Sequence, residues 1–270
     1  MNNYNVSINV DEFKKFKLWL YSNAGIDLKD TKIKLVEGRL ACRLKHYNLT
    51  SYTAYFNMIT NKDSVTESQM AVDLLTTNET YFFREPQHFE FLKNTLLPQI
   101  PRGKSFRLWC AASSTGEEPY TLAMTLAESL GMNSWQIISS DISQRVLEKA
   151  RSGHYALERA HNISQASLRK YCLKGVDSQD GTFLIKKSLR EKMIFKQINL
   201  VKPLPDIGKF DVIFIRNVMI YFDNETRIQV VKQIVEQLKI GGYLFVSHSE
   251  SLIGVNPQLK IHQPSIFIKS

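Results

Sequence analysis

The chain has 270 residues, of which 43% are apolar and 11% aromatic, so it is expected to fold as a globular protein with one sizeable core and a smaller appended unit. Its net charge of +9 indicates an acidic partner, and an acidic protein surface is favoured over nucleic acid because zinc-finger, RNP and basic-tail motifs are lacking. The three cysteines, Cys42, Cys110 and Cys172, are scattered without a CxxC pair, which argues against a metal site and for a reducing compartment.

The first 75 residues are predicted to form a wholly helical domain. Their opening stretch, MNNYNVSINVDEFKK, lacks the apolar core of a secretory signal, and the chain has no apolar run long enough to span a bilayer, so a cytoplasmic location is expected. The first helix is predicted to end at Gly25. Its apolar face consists of Phe13, Phe16, Leu20 and Tyr21.

A second helix, predicted over residues 31–47, carries two stripes about a quarter turn apart. The apolar stripe consists of Ile33, Val36, Leu40 and Leu44. The basic stripe consists of Lys32, Arg39, Arg43 and His46. A stripe of this kind is ordinarily a solvated helix face, but it could also attract an acidic partner, and the pattern alone leaves both interpretations open.

Residues 76–104 are predicted to join the helical domain to the rest of the chain. Within them, the run from Thr77 to Glu85, TNETYFFRE, alternates polar with aromatic side chains. This run is either a linker with buried aromatics or a lid over a ligand site, from which Arg84 would reach the substrate.

From residue 105 onwards the pattern becomes one of alternating strands and helices. Strands are predicted over residues 106–112, 135–141, 193–200, 210–217, 243–249 and 266–269. Helices are predicted over residues 117–130, 143–151 and 224–239, the last capped by Asp223 and stopped by Gly241 and Gly242. This alternation indicates an α/β fold with a parallel sheet covered on both faces.

The stretch 152–192 interrupts that alternation and is too long for a plain loop. It contains a turn at Asp180 and Gly181, followed by an apolar run over residues 182–185. The stretch is therefore predicted to be a small inserted subdomain with a β-hairpin.

The run from Arg107 to Tyr120, RLWCAASSTGEEPY, combines a buried strand, a small-residue turn with Gly116, and a helix that opens at Glu117 and Glu118. Such a turn lets a cofactor approach bare backbone donors. Two carboxylates at this position would repel a phosphate, but they could hold an amine or a hydroxyl. The run therefore points to S-adenosylmethionine, which carries an amino group and a ribose.

Polar residues at other strand ends would face the same crevice. Asp141 would accept the ribose hydroxyls, or it would cap the helix that begins at Ser143. Asn199 would bond adenine or a carboxylate, or it would satisfy a local turn. The stretch after the fourth strand, NVMIY, lacks the prolines typical of methylases that act on exocyclic amines, which weakens a base-methylating function.

Three motifs in order, TNETYFFRE, STGEEPY and RNVMIYF, resemble those of the chemotaxis receptor methyltransferase family, CheR, and the resemblance covers nearly the whole chain. It implies a Rossmann-like class I S-adenosylmethionine-dependent methyltransferase sheet (105–270, insert at about 152–192) behind an N-terminal all-helical domain (1–75) and a lid (76–104). It also implies methyl esterification of glutamate side chains on cytoplasmic helices of chemoreceptors, with S-adenosylhomocysteine as the product.

The resemblance assigns roles to residues of this sequence, and it implies no metal. At the methyl transfer centre would lie Arg84 and Tyr221, and the family pattern favours Glu118 over Glu117 as the contact of the methionine amine. Cofactor contacts would come from Asn78, Thr80, Arg84, Glu118, Asp141, Asn199, Leu200, Asn217 and Val218.

The resemblance also gives the basic stripe an acidic partner, the glutamate-rich receptor helix, which would meet Lys32, Arg39 and Arg43. The β insert could dock a peptide from the receptor C-terminus, and a monomer is expected. One alternative is a methyltransferase of the same fold that acts on a small molecule or nucleic acid. Another is a non-catalytic module that binds S-adenosylmethionine or its product, against which the presence of both Arg84 and Tyr221 argues.

Overall fold

A computed structural model describes residues 6–101, 103–132 and 134–270. Contacts divide the described chain into two compact units. The first contains residues 6–77 together with Tyr221–Arg227, and the second contains Asn78–Ile220 and Ile228–Ser270. Residues 1–5, 102 and 133 lie outside the described residues, and with them the opening of the predicted helical domain and one residue of the predicted linker.

The first unit is built from four α-helices, a 3-10 turn at Asp30–Lys32 and the first four residues, Asn224–Arg227, of a helix that continues into the second unit. The helices run over Val10–Ala24 (α1), Ile33–His46 (α2), Tyr52–Thr60 (α3) and Val65–Leu75 (α4). Helix α1 begins with a capping box, in which Asn9 Oδ1 accepts from the Glu12 N–H and Glu12 Oε2 accepts from the Asn9 N–H. It ends at Gly25 in the left-handed conformation, as predicted.

The predicted apolar faces of α1 and α2 are confirmed except at Ile33, which is half-buried, and Tyr21. Val36, Leu40 and Leu44 are buried along α2, as are Phe13, Phe16 and Leu20 along α1. Tyr21 lies at the margin instead, with 37% of its surface exposed and its hydroxyl donating to Asp223 Oδ2 at 2.7 Å. Its polar tip needs a partner, which places it where the apolar face meets solvent.

The second unit holds a seven-stranded sheet and a three-stranded sheet. The ten strands run over Phe106–Ala111 (β1), Trp135–Asp141 (β2), His154–Ala156 (β3), Cys172–Lys174 (β4), Thr182–Ile185 (β5), Met193–Gln197 (β6), Phe210–Ile215 (β7), Leu238–Phe245 (β8), Leu259–Gln263 (β9) and Ile266–Lys269 (β10). The helices run over Pro86–Phe91 (α5), Glu117–Leu130 (α6), Gln144–Ser152 (α7), Gln165–Tyr171 (α8), Lys187–Arg190 (α9) and Asn224–Gln237 (α10).

The large sheet has the strand order β6-β2-β1-β7-β8-β10-β9, and only its first five strands are parallel. Strands β10 and β9 pair antiparallel, which corrects the expectation of a wholly parallel sheet. Strand β9 was not predicted from the sequence. It is an edge strand whose residues are all exposed or half-buried, so its sequence lacks the alternation of apolar and polar residues that marks a strand.

The paired glycines were wrongly predicted to stop the preceding helix. Helix α10 already ends at Gln237, and Gly241 and Gly242 lie inside β8, where the register against β7 shifts. A Cβ on Gly242 would come within 2.9 Å of the Lys239 carbonyl oxygen, so the bulge requires glycine. The predicted cap of α10 is confirmed, because Asp223 Oδ1 accepts from the Thr226 N–H at 2.8 Å.

The stretch between α7 and β6 contains the small antiparallel sheet, with β5 between β3 and β4. The predicted hairpin is therefore confirmed as β4–β5, and β3 joins it as a third strand. With only three residues, β3 is too short to give a periodic signal. Among the described residues, no helix combines the length and the apolar character that crossing a membrane requires.

Candidate active site

The turn between β1 and α6 has a tightly constrained backbone. Ala112 and Ser114 have φ of 61° and 50°, and Gly116 has φ of 98°. A Cβ on Gly116 would come within 2.7 Å of Tyr155 Oη and 2.9 Å of Ala150 Cβ. The neighbours that require glycine at position 116 therefore belong to the protein itself.

The two glutamates that open α6 have different environments. Glu117 is 1% exposed, and its carboxylate accepts from Thr115 Oγ1 at 2.6 Å and from Nε and Nη2 of Arg159. Glu118 is 12% exposed, and its Oε2 accepts from Arg216 Nη1 at 2.6 Å. Both oxygens of Glu117 are committed to the protein, so Glu118 is the carboxylate that retains capacity for a ligand.

The second oxygen of Glu118 has only a weak internal donor. Its Oε1 accepts from the Cys110 thiol at 3.1 Å. Burial, together with the nearby Glu118 charge, raises the pKa of that thiol well above its ordinary value, so the thiol stays protonated and donates. An ammonium group would be a much stronger donor to the same oxygen.

Asp141 lies at the carboxyl end of β2 and is buried. Its Oδ2 accepts from the Ser114 N–H at 2.8 Å, and its Oδ1 accepts from the Ser143 N–H at 3.0 Å. The alternative interpretation of Asp141 as a helix cap is wrong, because the cap of α7 is Ser143, whose hydroxyl oxygen accepts from the Val146 N–H. Asp141 thus joins the β1 turn to the end of β2.

The segment 78–85 crosses over the β1 turn and the start of α6. Ser114 Oγ donates to the Asn78 carbonyl at 2.8 Å, Arg159 Nη2 donates to the Thr80 carbonyl at 2.7 Å, and the Phe83 N–H donates to Thr121 Oγ1 at 3.1 Å. The segment is thus anchored to the β1 turn, to α6 and to Arg159 in the 3-10 turn at Leu157–Ala160. Its function as a lid stays a prediction.

Arg84 lies within this segment between two residues of unusual backbone conformation. Phe83 and Glu85 have φ of 55° and 57°, and residues other than glycine seldom adopt this backbone conformation. The Arg84 guanidinium donates to the Glu79 carbonyl at 3.0 Å and lies 5.6 Å from the centre of the Tyr81 ring. Arg84 is half-buried, which leaves part of its side chain accessible to a ligand.

Arg216, directly after β7, connects the segment 78–85 to the start of α6. Its side chain is fully buried; Nη1 pairs with Glu118, and Nη2 donates to the Arg84 carbonyl at 2.7 Å and lies 3.2 Å from Glu85 Oε2. One guanidinium therefore holds three lid and turn groups in place.

The residues predicted at the other strand ends adopt turns. Asn199 Oδ1 accepts from the Val201 N–H at 3.2 Å, which is the local turn that one interpretation predicted. The Leu200 carbonyl accepts from Gln233 Nε2 at 3.3 Å. The strands β6 and β7 end at Gln197 and Ile215, two or three residues before their predicted ends, so Asn199 and Asn217 lie in the loops that follow.

A buried carboxylate organises the loop after β7. Glu250 accepts from the backbone N–H groups of Asn217, Val218 and Met219 at 2.9–3.1 Å, and from the N–H and hydroxyl of Ser247. Asn217 has φ of 58°, and this conformation turns consecutive N–H groups towards one acceptor. The hydrogen bonds to Glu250 thus fix the backbone positions of Asn217 and Val218.

Three residues that shape this site were missed as site residues from the sequence, namely Arg159, Arg216 and Glu250. Arg159 and Glu250 lie far along the chain from the groups they hold, so no spacing signal connects them. Arg216 directly precedes Asn217 in the RNVMIYF run, and a charged residue at the end of a buried strand was the signal available for it.

The two arginines in the basic stripe of α2 have partners within the helical unit. Arg39 Nη1 donates to the carbonyl oxygens of Leu75 and Thr76 at 2.8 and 2.9 Å. Arg43 donates from Nε and Nη2 to the two carboxylate oxygens of Glu67 at 2.8 and 2.6 Å. These guanidinium groups fasten α2 to α4 and the chain after it, so they are not simply solvated, and their binding of an acidic partner stays a prediction.

Two other predicted residues lie in the first unit. Lys32 is exposed at the start of α2, in the 3-10 turn that precedes it. Tyr221 is half-buried, and its carbonyl oxygen accepts from the Asp27 N–H at 2.8 Å. The predicted position of Tyr221 at a transfer centre stays a prediction.

Replacing Glu67 with glutamine should lower the free energy of unfolding at pH 7 by about 2 kcal/mol, because the carboxylate accepts from Arg43, Tyr47 and Tyr55 in a buried position. Urea denaturation of the wild type and the variant would measure the difference. The exposed Asp63→Asn is the matched control and should leave the unfolding free energy within about 0.5 kcal/mol of the wild type.

The difference in unfolding free energy between the wild type and E67Q should also depend on pH. Burial acts to raise the pKa of Glu67, but the hydrogen bonds from Arg43, Tyr55 and Tyr47 outweigh it, so the pKa lies below its ordinary value of 4.5. A lowered pKa gives stability that is present above pH 4.5 and is lost as the pH falls below it. The difference in unfolding free energy between the wild type and E67Q should therefore decrease as the pH falls below 4.5. A difference that increases would contradict the lowered pKa of Glu67.

Comparisons with known proteins identify the family of this chain. The chain matches the all-alpha domain of CheR methyltransferases over residues 11–76 and the SAM-binding domain of CheR methyltransferases over residues 78–268. It is 38% identical over 261 residues to a chemotaxis protein methyltransferase of Escherichia coli, covering 96% of this chain and 90% of that one. It is 36% identical over 282 residues to a chemotaxis protein methyltransferase of Borreliella burgdorferi, covering 100% and 98%, and 39% identical over 246 residues to chemotaxis protein methyltransferase 2 of Pseudomonas aeruginosa, covering 90% and 87%.

Proposed function

The chain belongs to the CheR methyltransferase family, and from that premise we propose that it transfers a methyl group from S-adenosylmethionine to glutamate side chains on the cytoplasmic helices of chemoreceptors. The observation that supports this proposal most strongly is the difference between the two glutamates of α6. The Glu118 carboxylate is accessible to a ligand, whereas both oxygens of Glu117 have partners within the protein. A carboxylate there suits the amino group of this cofactor and would repel the phosphates of a dinucleotide.

The residues around the β1 turn fit the cofactor by their donor and acceptor chemistry. Glu118 Oε1 would accept from the methionine ammonium, while Arg216 holds Oε2 and so fixes the orientation of the carboxylate. Asp141 is an acceptor suited to ribose hydroxyls, and its position is fixed by two backbone N–H groups. The remaining proposed contacts are Asn78, Thr80, Arg84, Asn199, Leu200, Asn217 and Val218.

When bound, S-adenosylmethionine would supply an electrophilic methyl group on its sulfonium. The acceptor glutamate has an ordinary pKa of about 4.3, so it is ionised at neutral pH and no general base is required. Arg84 would orient this carboxylate rather than clamp it, because tight pairing would stabilise the nucleophile before the reaction. Tyr221 is proposed to donate a hydrogen bond at the same centre.

The partner and its docking sites are part of the proposal. Lys32 is proposed to meet the acidic receptor helix, with Arg39 and Arg43 contributing positive potential although their donors have internal partners. A groove of about 410 Å³ on the small sheet is lined by apolar and polar groups, including the exposed Leu173 and Val176, and would accept an extended receptor peptide. We propose a monomer that acts in the cytoplasm.

The function is tested by supplying the purified chain with S-adenosylmethionine labelled in its methyl group, together with membranes that contain chemoreceptors. We expect label on the receptors that mild alkali releases as methanol, because carboxyl methyl esters hydrolyse and N-methyl groups do not. Parallel reactions with RNA, DNA and a small-molecule extract should stay unlabelled. Label confined to any of these, or none at all, would refute the proposal.

Replacing Glu118 with glutamine should weaken S-adenosylmethionine binding about thirtyfold, because a hydrogen bond between ions contributes about 2 kcal/mol and 1.4 kcal/mol corresponds to a factor of ten. Isothermal titration calorimetry would measure the Kd. The matched control is Glu117→Gln on the adjacent residue, which should change the Kd by less than about threefold but should lower the free energy of unfolding by about 2 kcal/mol. Equal losses of affinity in both variants would contradict the assignment of Glu118.

A further inference from the structure

A cluster of Glu85, His88 and His248 lies where α5 meets the end of β8. One ligand atom from each residue falls within 4.8 Å of those of the others. Glu85 Oε2 is 3.6 Å from His88 Nδ1 and 3.8 Å from His248 Nε2. The methyl transfer proposed above uses neither histidine.

The contacts of the Ser265 hydroxyl favour one tautomer for each imidazole. Ser265 Oγ donates its single proton to the Pro264 carbonyl at 2.6 Å, so towards the rings it can only accept. Two ring nitrogens face it, His88 Nε2 at 2.7 Å and His248 Nδ1 at 3.3 Å. In the neutral rings these two nitrogens therefore hold the protons, and His88 Nδ1 and His248 Nε2 present lone pairs.

The two lone pairs face Glu85 Oε2 with no ring proton between them; that oxygen accepts from the His248 backbone N–H at 3.1 Å and lies 3.2 Å from Arg216 Nη2. His88 is 1% exposed, and its Nδ1 has no hydrogen-bond partner. A buried polar nitrogen left unpaired costs free energy, and aiming it at an anionic oxygen adds repulsion. A cation among the three atoms would remove both penalties.

We propose that Glu85, His88 and His248 bind one divalent transition-metal ion of the Zn²⁺ class. Two neutral imidazoles and one carboxylate, with a further position open to solvent, form a ligand set typical of Zn²⁺. Tetrahedral Zn²⁺ places its ligand atoms about 3.3 Å apart. The two distances from Glu85 Oε2 would shorten by a few tenths of an ångström, and the exposed His248 ring would move to bring the two imidazole nitrogens, which lie within 4.8 Å of each other, to the same separation. The scattered cysteines had argued against a metal site, but this ligand set contains no cysteine.

The surroundings support the ligands in the way that metal sites require. Ser265 accepts the second N–H of both rings, which fixes their tautomers and orientations. His248 has 47% of its side chain exposed and gives the ion a path from solvent. The adjacent Arg216, 3.2 Å from Glu85 Oε2, opposes a second positive charge, so the affinity should be lower than that of a closed four-ligand site.

The test uses untagged full-length protein stripped with EDTA, in a Cys42→Ser background so that the exposed thiol cannot bind metal. Calorimetric titration with ZnCl₂ should give one ion per chain, and His248→Ala should weaken binding by at least about tenfold. The exposed His161→Ala, as the matched control, should bind as the parent does. Co²⁺ should give the visible absorption of a four-coordinate ion in the parent and lose it in H248A.

Absence of stoichiometric Zn²⁺ binding, or equal affinity in H248A and the parent, would overturn the proposal. Circular dichroism checks that H248A is folded, which its exposed position predicts. If it is not, Glu85→Gln makes the same comparison with a ligand of equal size and no charge. None of these measurements depends on methyl transfer, so the metal site and the proposed function can fail separately.

Discussion

Replacing Glu250 with alanine is expected to lower the free energy of unfolding by about 4 kcal/mol, since buried N–H groups left without an acceptor cost about 1–3 kcal/mol each. The carboxylate accepts from four backbone N–H groups and one hydroxyl, and both Met219 and Ser247 are buried. Urea denaturation followed by circular dichroism would measure the change.

The same substitution should weaken cofactor binding, because Asn217 and Val218 are proposed contacts and depend on Glu250 for their backbone positions. Glu250→Gln keeps one acceptor oxygen and should give an intermediate loss of stability. Glu148→Ala, on an exposed face of α7, is the matched control and should change the unfolding free energy by no more than about 0.5 kcal/mol. A stable E250A protein with unaltered cofactor affinity would show that the loop is held by other contacts.

Replacing Arg84 with alanine should reduce kcat for receptor methylation about a hundredfold, the size of effect that loss of substrate orientation can produce. The structure of the lid should survive, because its anchors to Ser114, Thr121 and Arg159 involve other residues. Single-turnover methylation at saturating cofactor would measure the rate separately from binding.

Arg84→Lys distinguishes orientation from simple charge attraction. Lysine keeps the positive charge but lacks the planar, two-pronged donor geometry, so R84K should recover only part of the lost rate. A KM that rises while kcat stays unchanged would indicate that Arg84 contributes to binding alone. Wild-type kcat in R84A would remove it from the transfer centre.

The fold was predictable where the sequence carries strong periodicity. Strands β1 and β7 are apolar from their third residue onwards because both faces of the central sheet are covered, and their start points were predicted to the residue. The antiparallel edge was not predictable, since β9 has the polar sequence LKIHQ and owes its strand conformation to pairing with β10. Local sequence does not encode a partner that lies in another strand.

The residues of the candidate site likewise fall into those that local sequence predicted and those that depend on distant partners. The turn with Glu117 and Glu118 was found from adjacent residues, and so was Asp141, because strand ends and helix starts have local signatures. Their different roles depend on Arg159 and Arg216, which approach from 42 and 98 positions away. Likewise, helical periodicity placed Arg43 in a basic stripe, but in the structure its guanidinium donates to the distant Glu67.

The proposed function is tested most directly by locating the transferred methyl group on the receptor. Receptor-containing membranes are incubated with the chain and methyl-labelled S-adenosylmethionine, and receptor peptides are then sequenced by mass spectrometry before and after mild alkali. The proposal predicts label on glutamate side chains of the cytoplasmic helices, removed by the alkali. Label on any other residue type, or label that survives the alkali, would contradict it.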